Sequence, residues 1–326
     1  MATEPNVTIP VVDLSPFLQG EGDGDGDGDV DRDGINLAKE TIGQACKTHG
    51  FFRIVNHGVP TELMVRALNL SKAFFSLPDE EKLKSKPIPA SKSPLPAGYC
   101  KQPENSPDKN EYLMVFSPEL GFNLYPDDPA EFRATLEECY HALSKTAILV
   151  QDILNECMAL PPNFFREYNA NRSFDMMVAL RYYPETEAEN NGLSEHQDGN
   201  CLTFVFQDEV GGLEVLNDGK WVSADPSEGS IIVNLGDIIQ VLSNNKFKSA
   251  MHRVTRKKAY RHSFAFFFNI DGEKWIEPLP QFTSEIGEAP CYRGFMYNEY
   301  MQLRMRNKTH PPSRPEDVVH ISYYAI

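Results

Sequence analysis

Residues 194–207 read Ser-Glu-His-Gln-Asp-Gly-Asn-Cys-Leu-Thr-Phe-Val-Phe-Gln, a polar turn carrying His196 and Asp198 followed by an apolar run. The run 201–207 belongs to a series that begins after Phe174, with further members at 176–183, 213–216, 220–222, 230–234, 238–242, 252–254 and 263–269. Gly, Asn, Asp and Pro separate them. Short apolar runs at even spacing predict an all-β sandwich or barrel. Upstream, the apolar residues recur at helical spacing in 35–49, 60–77 and 128–160, while 9–14 and 51–56 read as strands. Residues 85–111, rich in Pro, Ser and Lys, predict a long loop. The expected architecture is mainly β with supporting helices. It divides into a region of mixed helices and strands (1–120) and a core with its central helix (121–326), packed as one compact unit.

Composition narrows the function. Hydrophobic residues make up 41% and charged residues 24% of the chain, values typical of a folded water-soluble protein. The net charge is −16, and an acidic field repels phosphate backbones, so nucleic acid is not an expected partner. Part of that charge is local: residues 21–33 hold seven acids (Glu21, Asp23, Asp25, Asp27, Asp29, Asp31 and Asp33) against Arg32. The Gly/Asp alternation of 20–34 predicts a flexible insertion. Asp29-x-Asp31-x-Asp33-Gly34 followed by Glu40 formally matches a Ca²⁺ loop, but no helix former precedes it and Asn36 occupies an apolar position; an acidic loop is the better reading. The six cysteines include no C-x-x-C pair, which excludes the usual zinc and dithiol motifs and suits free thiols. With no signal-like N-terminus and no apolar run of membrane length, the expectation is a cytoplasmic monomer that binds no membrane.

His196-x-Asp198 can direct an imidazole and a carboxylate to one point if the segment is extended, since residues i and i+2 share a strand face. His252 supplies a second imidazole. Two His and one carboxylate that leave coordination positions open form the ligand set of mononuclear Fe(II) oxygenases. By itself H-x-D is a common chance pattern. Arg261-His262-Ser263 sharpens the reading. Arg261 and Ser263 share a face of an apolar strand, where a guanidinium needs an anion: a bound carboxylate, or an internal Asp or Glu in a structural ion pair. His57 reads as a structural turn histidine, and His262 should face away from Arg261.

Together these residues resemble the core of the plant-type 2-oxoglutarate/Fe(II)-dependent dioxygenases, in the isopenicillin N synthase-like superfamily. The likeness extends over nearly the whole chain, through His49-Gly50-Phe51-Phe52, Val55-Asn56-His57-Gly58-Val59, Gly211-Gly212-Leu213, Trp221, Asn234-Leu235-Gly236-Asp237 and Leu242-Ser243-Asn244. It implies a distorted double-stranded β-helix, or jelly roll. It implies Fe(II) on His196, Asp198 and His252, and 2-oxoglutarate held by Arg261, Ser263 and Tyr183. The reaction implied consumes O₂ with ascorbate as reductant, forms succinate and CO₂, and hydroxylates, desaturates or demethylates a small, largely apolar or aromatic plant metabolite or hormone. Tyr112, Met114, Phe206, Phe267 and Asn269 are the expected substrate walls, with residues 297–305 as a lid. Arg181 stands where many relatives have Asn; it either meets a carboxylate of substrate or cosubstrate or faces solvent. A relative that oxidises without 2-oxoglutarate and a catalytically silent ligand binder are the competing readings.

Overall fold

The computed structural model describes residues 8–18, 31–88, 95–309, 314 and 317–326. In chain order the elements are β1 (Val11–Asp13), α1 (Ser15–Leu18), α2 (Arg32–Thr48), β2 (Phe51–Val55), α3 (Thr61–Phe75), α4 (Asp79–Lys82), β3 (Gly98–Lys101) and β4 (Asn110–Phe116). There follow α5 (Phe132–Cys157), α6 (Phe164–Tyr168), β5 (Met176–Tyr182), β6 (Asn191–His196), β7 (Leu202–Gln207), β8 (Leu213–Asn217), β9 (Lys220–Ser223) and β10 (Ile231–Leu235). The chain closes with α7 (Asp237–Leu242), β11 (His252–Thr255), β12 (Arg261–Phe268), β13 (Trp275–Ile276), β14 (Phe295–Met296) and α8 (Tyr297–Thr309).

Two sheets make the jelly roll. The larger has eight strands in the order β1-β2-β10-β7-β12-β5-β4-β3; the smaller is β6-β11-β8-β9. Strands from the N-terminal third therefore share a sheet with strands of the second half. Residues paired across neighbouring strands share a face, so the register sorts the side chains. Arg261, Ser263, Ala265 and Phe267 point inward with Tyr182, Leu180, Val178 and Met176 of β5 and with Gln207, Val205 and Thr203 of β7. The alternate set, which includes Phe204, Phe206, Phe264 and Phe266, is buried in the main core that the sheet forms with α3 and α5. Between the two sheets a second apolar cluster gathers Phe51, Tyr182, Leu213, Val215, Ile232 and Val254.

Several local expectations change. Residues 85–111 are not one loop: β3 and the first residues of β4 pair there as a hairpin, and β4 joins the sheet through β5. That pairing supplies an order that no local period announces. Residues 238–242 form most of α7 rather than a strand, because a short run buried on every side carries neither a twofold nor a helical period. Helix α2 starts at Arg32, earlier than the sequence suggested; Asp31 caps it by accepting the Gly34 N–H at 2.8 Å, and Asp33 favours the positive end of the helix. The stretch that a Ca²⁺ loop would need is thus helical from Arg32 onward, while residues 19–30 of the acidic tract lie outside those described. All six cysteines are unpaired. Among the described residues no helix is long and apolar enough to cross a membrane.

A charged cluster ties α4 to the outer face of the large sheet. Glu111, with 0% exposure, accepts from Lys82 Nζ at 2.9 Å, from Arg181 Nε at 2.6 Å and from the Tyr99 hydroxyl. Arg181, offered from sequence either to a carboxylate ligand or to solvent, has an internal partner instead: the register sets it opposite the buried Glu111. Removing one member of a buried charge set strands the rest. Glu111→Ala is expected to destabilise the protein by about 3–5 kcal/mol in urea denaturation, whereas Lys101→Ala, on an exposed pair with Asp79, should cost under about 1 kcal/mol.

Candidate metal centre and its flanking pocket

β6 ends at His196 and β11 begins at His252, and the two residues are paired directly. Their rings lie 4.3 Å apart. The Nδ1–H of His196 donates to the Ser194 carbonyl at 2.8 Å and that of His252 to the Ala250 carbonyl at 3.0 Å. A carbonyl only accepts, so the proton must sit on Nδ1 in both rings and each Nε2 keeps its lone pair. Both lone-pair nitrogens face Oδ1 of Asp198, at 3.5 and 3.7 Å. Asp198 lies in the turn beyond β6, so strand alternation does not aim it. Its Oδ2 is tethered instead by the Thr203 hydroxyl at 2.6 Å and the Asn234 amide at 2.9 Å. One oxygen is thereby committed to the protein and the other is presented to the imidazoles.

The three ligand atoms lie within 4.8 Å of one another, near enough to share one metal ion. Burial alone would raise the Asp198 pKa, but the imidazoles of His252 and His196, whenever they carry a second proton, and the Thr203 hydroxyl hold it well below the usual carboxylate range. Burial, and then the neighbouring His196, push His252 down to about 4. A neutral imidazole and an ionised carboxylate are the protonation states that ligate a divalent cation. Among the described residues this is the one such group of His, Cys, Asp and Glu. Gly236 keeps the turn in place: a Cβ there would stand 2.1 Å from the Asn200 carbonyl oxygen, and the N–H of the next residue, Asp237, donates to the Asp198 carbonyl at 2.7 Å.

Arg261 lies on the inner face of β12 with 2% exposure. Its Nη1 donates to Ser263 Oγ at 3.0 Å, and its Nε and Nη2 donate to Gln207 Oε1 at 3.2 and 2.8 Å. The guanidinium stands 4.8 Å over the ring of Tyr182. Among the described residues no Asp or Glu forms an ion pair with it; the Asp208 carboxylate acts on it only through space and is itself paired with His262 on the outer face. A buried cation with neutral neighbours is an anion seat. Gln207 was not singled out from sequence; its place opposite Ser263 in the ladder is the only signal for it.

The other candidates divide by sheet face. Tyr112, Met114 and Phe267 point inward and join Leu95, Val178 and Leu180 in one apolar cluster, onto which Met301 and Met305 of α8 also pack. Tyr183 does not reach Arg261. It follows Tyr182 onto the other side of the sheet, where its ring lies 6.2 Å from Tyr260 and it feels the buried Glu111 carboxylate. Phe206 is likewise turned away from the interior, stacked on Phe264 at 4.9 Å beneath the helices. The amide of Asn269 is spent on the protein itself: Nδ2 donates to the carbonyls of Phe174 and Phe267, and Oδ1 accepts from the Tyr297 hydroxyl at 2.6 Å. His57 and His262 behave as structural residues. His57 Nδ1 accepts the Val59 N–H and its Nε2 donates to the Gly229 carbonyl, while His262 pairs with Asp208 on the outer face.

Comparison with known proteins agrees with this geometry. Residues 174–270 match the model of the 2OG-Fe(II) oxygenase superfamily, and residues 9–137 match the non-haem dioxygenase in morphine synthesis N-terminal model. Flavanone 3-dioxygenase 2 of Oryza sativa subsp. japonica is 32% identical over 79% of this chain and 77% of its own length. 1-Aminocyclopropane-1-carboxylate oxidase 1 of Malus domestica is 31% identical over 91% of each chain. The crystal structure of JOX2 in complex with 2OG, Fe and JA superposes with a TM-score of 0.80 at 26% identity, over 98% of this chain and 89% of that one.

The tether on Asp198 generates a prediction. Thr203→Val removes one of the two donors to Oδ2 while keeping the volume. It is expected to weaken divalent-metal binding about 10-fold in a chelator-competition titration.

Proposed function

This chain belongs to the 2OG-Fe(II) oxygenase superfamily and is a 2-oxoglutarate-dependent dioxygenase, and from that membership we propose that it oxidises a small, largely apolar or aromatic metabolite of the plant secondary-product or hormone class. His196 and His252, whose Nε2 atoms are free of a proton, and Asp198, whose Oδ1 is presented to them, would hold the Fe(II). Arg261 and Ser263 hold the distal carboxylate of 2-oxoglutarate. Tyr182, whose ring lies beneath the guanidinium, takes the flanking role first expected of Tyr183. The observation that carries the reading is the buried Arg261, with no ion pair among the described residues, facing the same sheet interior as Thr203, the residue that tethers Asp198.

Bound at this trio, iron supplies the activation of O₂ that couples decarboxylation of the keto acid to oxidation of a C–H bond, with ascorbate keeping it ferrous. The residues of the chain do the rest. Thr203 and Asn234 engage Oδ2 of Asp198, so that only Oδ1 would be offered to a metal ion. Gln207 and Ser263 fix the guanidinium before any ligand arrives, so little is lost in ordering it on binding. Tyr112, Met114, Val178, Leu180 and Phe267, with Met301 and Met305, form an apolar wall that keeps water from the reacting centre and selects an apolar or flat substrate. Hydroxylation is the reaction this arrangement serves most directly, with desaturation and demethylation as alternative outcomes of oxidation at a C–H bond.

The test is mass-spectrometric screening of small plant metabolites with the purified protein, Fe(II), ascorbate and 2-oxoglutarate. A substrate-dependent product at +16 or −2 mass units, with matching succinate, is the expected result. Oxygen uptake with no loss of 2-oxoglutarate would overturn the reading. In the same assay Arg261→Ala is expected to raise the KM for 2-oxoglutarate roughly 100-fold, since it removes charge-assisted bonds. Arg261→Lys should fall between, because a point charge replaces a planar fork. Ser263→Ala should cost about 10-fold.

A further inference from the structure

Helix α8 does two things at once. Met301 and Met305 pack on the apolar cluster with Tyr112, Met114 and Phe267. Tyr300 and Arg304, each one position before a methionine, turn to the loop that bears Asp198. The Arg304 guanidinium donates to the carbonyl of Gln197, the residue between His196 and Asp198. The Tyr300 hydroxyl donates to Oδ2 of Asp237 at 2.5 Å, and the backbone N–H of Asp237 donates to the Asp198 carbonyl at 2.7 Å. Arg304 Nη1 stands 3.8 Å from that same Oδ2. Asp237 and Tyr300 both have 0% exposure, so these bonds act away from water. The helix rests directly on Gly199: a Cβ there would lie 3.4 Å from Met301 Sδ, 3.5 Å from Tyr300 Cε1 and 3.6 Å from Arg304 Nε.

We propose that Arg304 and Tyr300 are positioning residues for the metal centre, and that docking of α8 fixes the backbone on both sides of Asp198. His196 and Asp198 are joined by a single intervening residue, so the orientation of the Gln197 carbonyl sets how the two side chains converge. Arg304 holds that carbonyl from one side. Asp237 holds the Asp198 carbonyl from the other, and Tyr300 anchors the Asp237 side chain. A ligand pressing on Met301 and Met305 therefore acts on the helix that aligns the metal ligands. Pocket occupancy and metal geometry are coupled through one element.

The proposal rests on the assignment of His196, Asp198 and His252 as metal ligands, and the test separates the two. Co(II) is titrated into the metal-free full-length protein, with its visible spectrum and dissociation constant as readouts and the melting temperature of the metal-free form as a fold check. Arg304→Met is expected to weaken Co(II) binding about 10-fold or more and to change the visible bands. Arg304→Lys should restore most of the affinity, because it keeps a donor for the Gln197 carbonyl. Tyr300→Phe removes a single hydroxyl and should give a smaller loss in the same direction; it carries the test if Arg304→Met does not fold. Gln302→Ala, on the exposed side of α8, should bind as wild type. Unchanged affinity and spectrum in both Arg304→Met and Tyr300→Phe would overturn the clamp. Wild-type protein that binds no Co(II), or a His252→Ala variant that binds it normally, would instead remove the ligand assignment.

Discussion

A buried carboxylate flanked by two imidazoles is stable only if its oxygens have separate partners. Asp198 meets this condition by giving Oδ2 to Thr203 and Asn234, which come from neighbouring strands of the large sheet, and turning Oδ1 toward His196 and His252 on the small one. Much of the molecule follows from holding that arrangement. The direct pairing of His196 with His252 sets the small sheet in register. The pairing of Thr203 with Asn234 sets β7 against β10. Gly236 is required because the chain passes too close to the Asn200 carbonyl for any side chain. The jelly roll is a frame that brings four separate strands and a turn to one carboxylate.

The same large sheet carries two arginines on opposite faces, and their contrast explains what the interior is for. Arg181, on the outer face, has a buried acid waiting in Glu111, reinforced by Lys82 and Tyr99. There the guanidinium is already neutralised by an internal carboxylate. Arg261, on the inner face, contacts Gln207, Ser263 and the ring of Tyr182, all neutral, and Asp208 acts on it only through space. Desolvating a guanidinium with no counter-charge in contact is costly, and burial lowers its pKa accordingly. A site built at that cost is relieved by a bound carboxylate. Neutral donors and acceptors orient the fork without neutralising it, so the charge remains available.

The apolar cluster beside this interior is assembled from pieces far apart in the chain: Leu95 before β3, Met114 on β4, Val178 on β5, Phe267 on β12 and Met305 on α8. Such a surface is defined by packing and not by any one segment, which suits a scaffold whose chemistry is set by a few residues grafted on a common fold. Helix α8 packs on this cluster and also touches the turn that bears Asp198.

The His196-x-Asp198 pattern, the Arg261/Ser263 pair and the β-rich second half could be read from the chain, because each depends on residue identity at short spacing or on local hydrophobic period; the distant His252 joined them only through the family resemblance. The long helix α5 was legible for the same reason. What sequence could not decide was which way side chains face where a strand ends or packs on both sides. Tyr182 and Tyr183 are adjacent tyrosines, and only pairing with Arg261 selects the first. Phe206 and Phe267 are equally apolar, yet the ladder turns one to the helices and the other to the pocket. The β3–β4 hairpin, α7 and α8 left weak local patterns because partners distant in sequence stabilise them. The roles of Gln207, Thr203, Asn234 and Arg304 were likewise invisible, since a neutral amide or a helical arginine acquires meaning only from what long-range packing sets beside it. Residue chemistry determined what kind of centre this chain can build; the register of two sheets and the docking of one helix decided which side chains reach it.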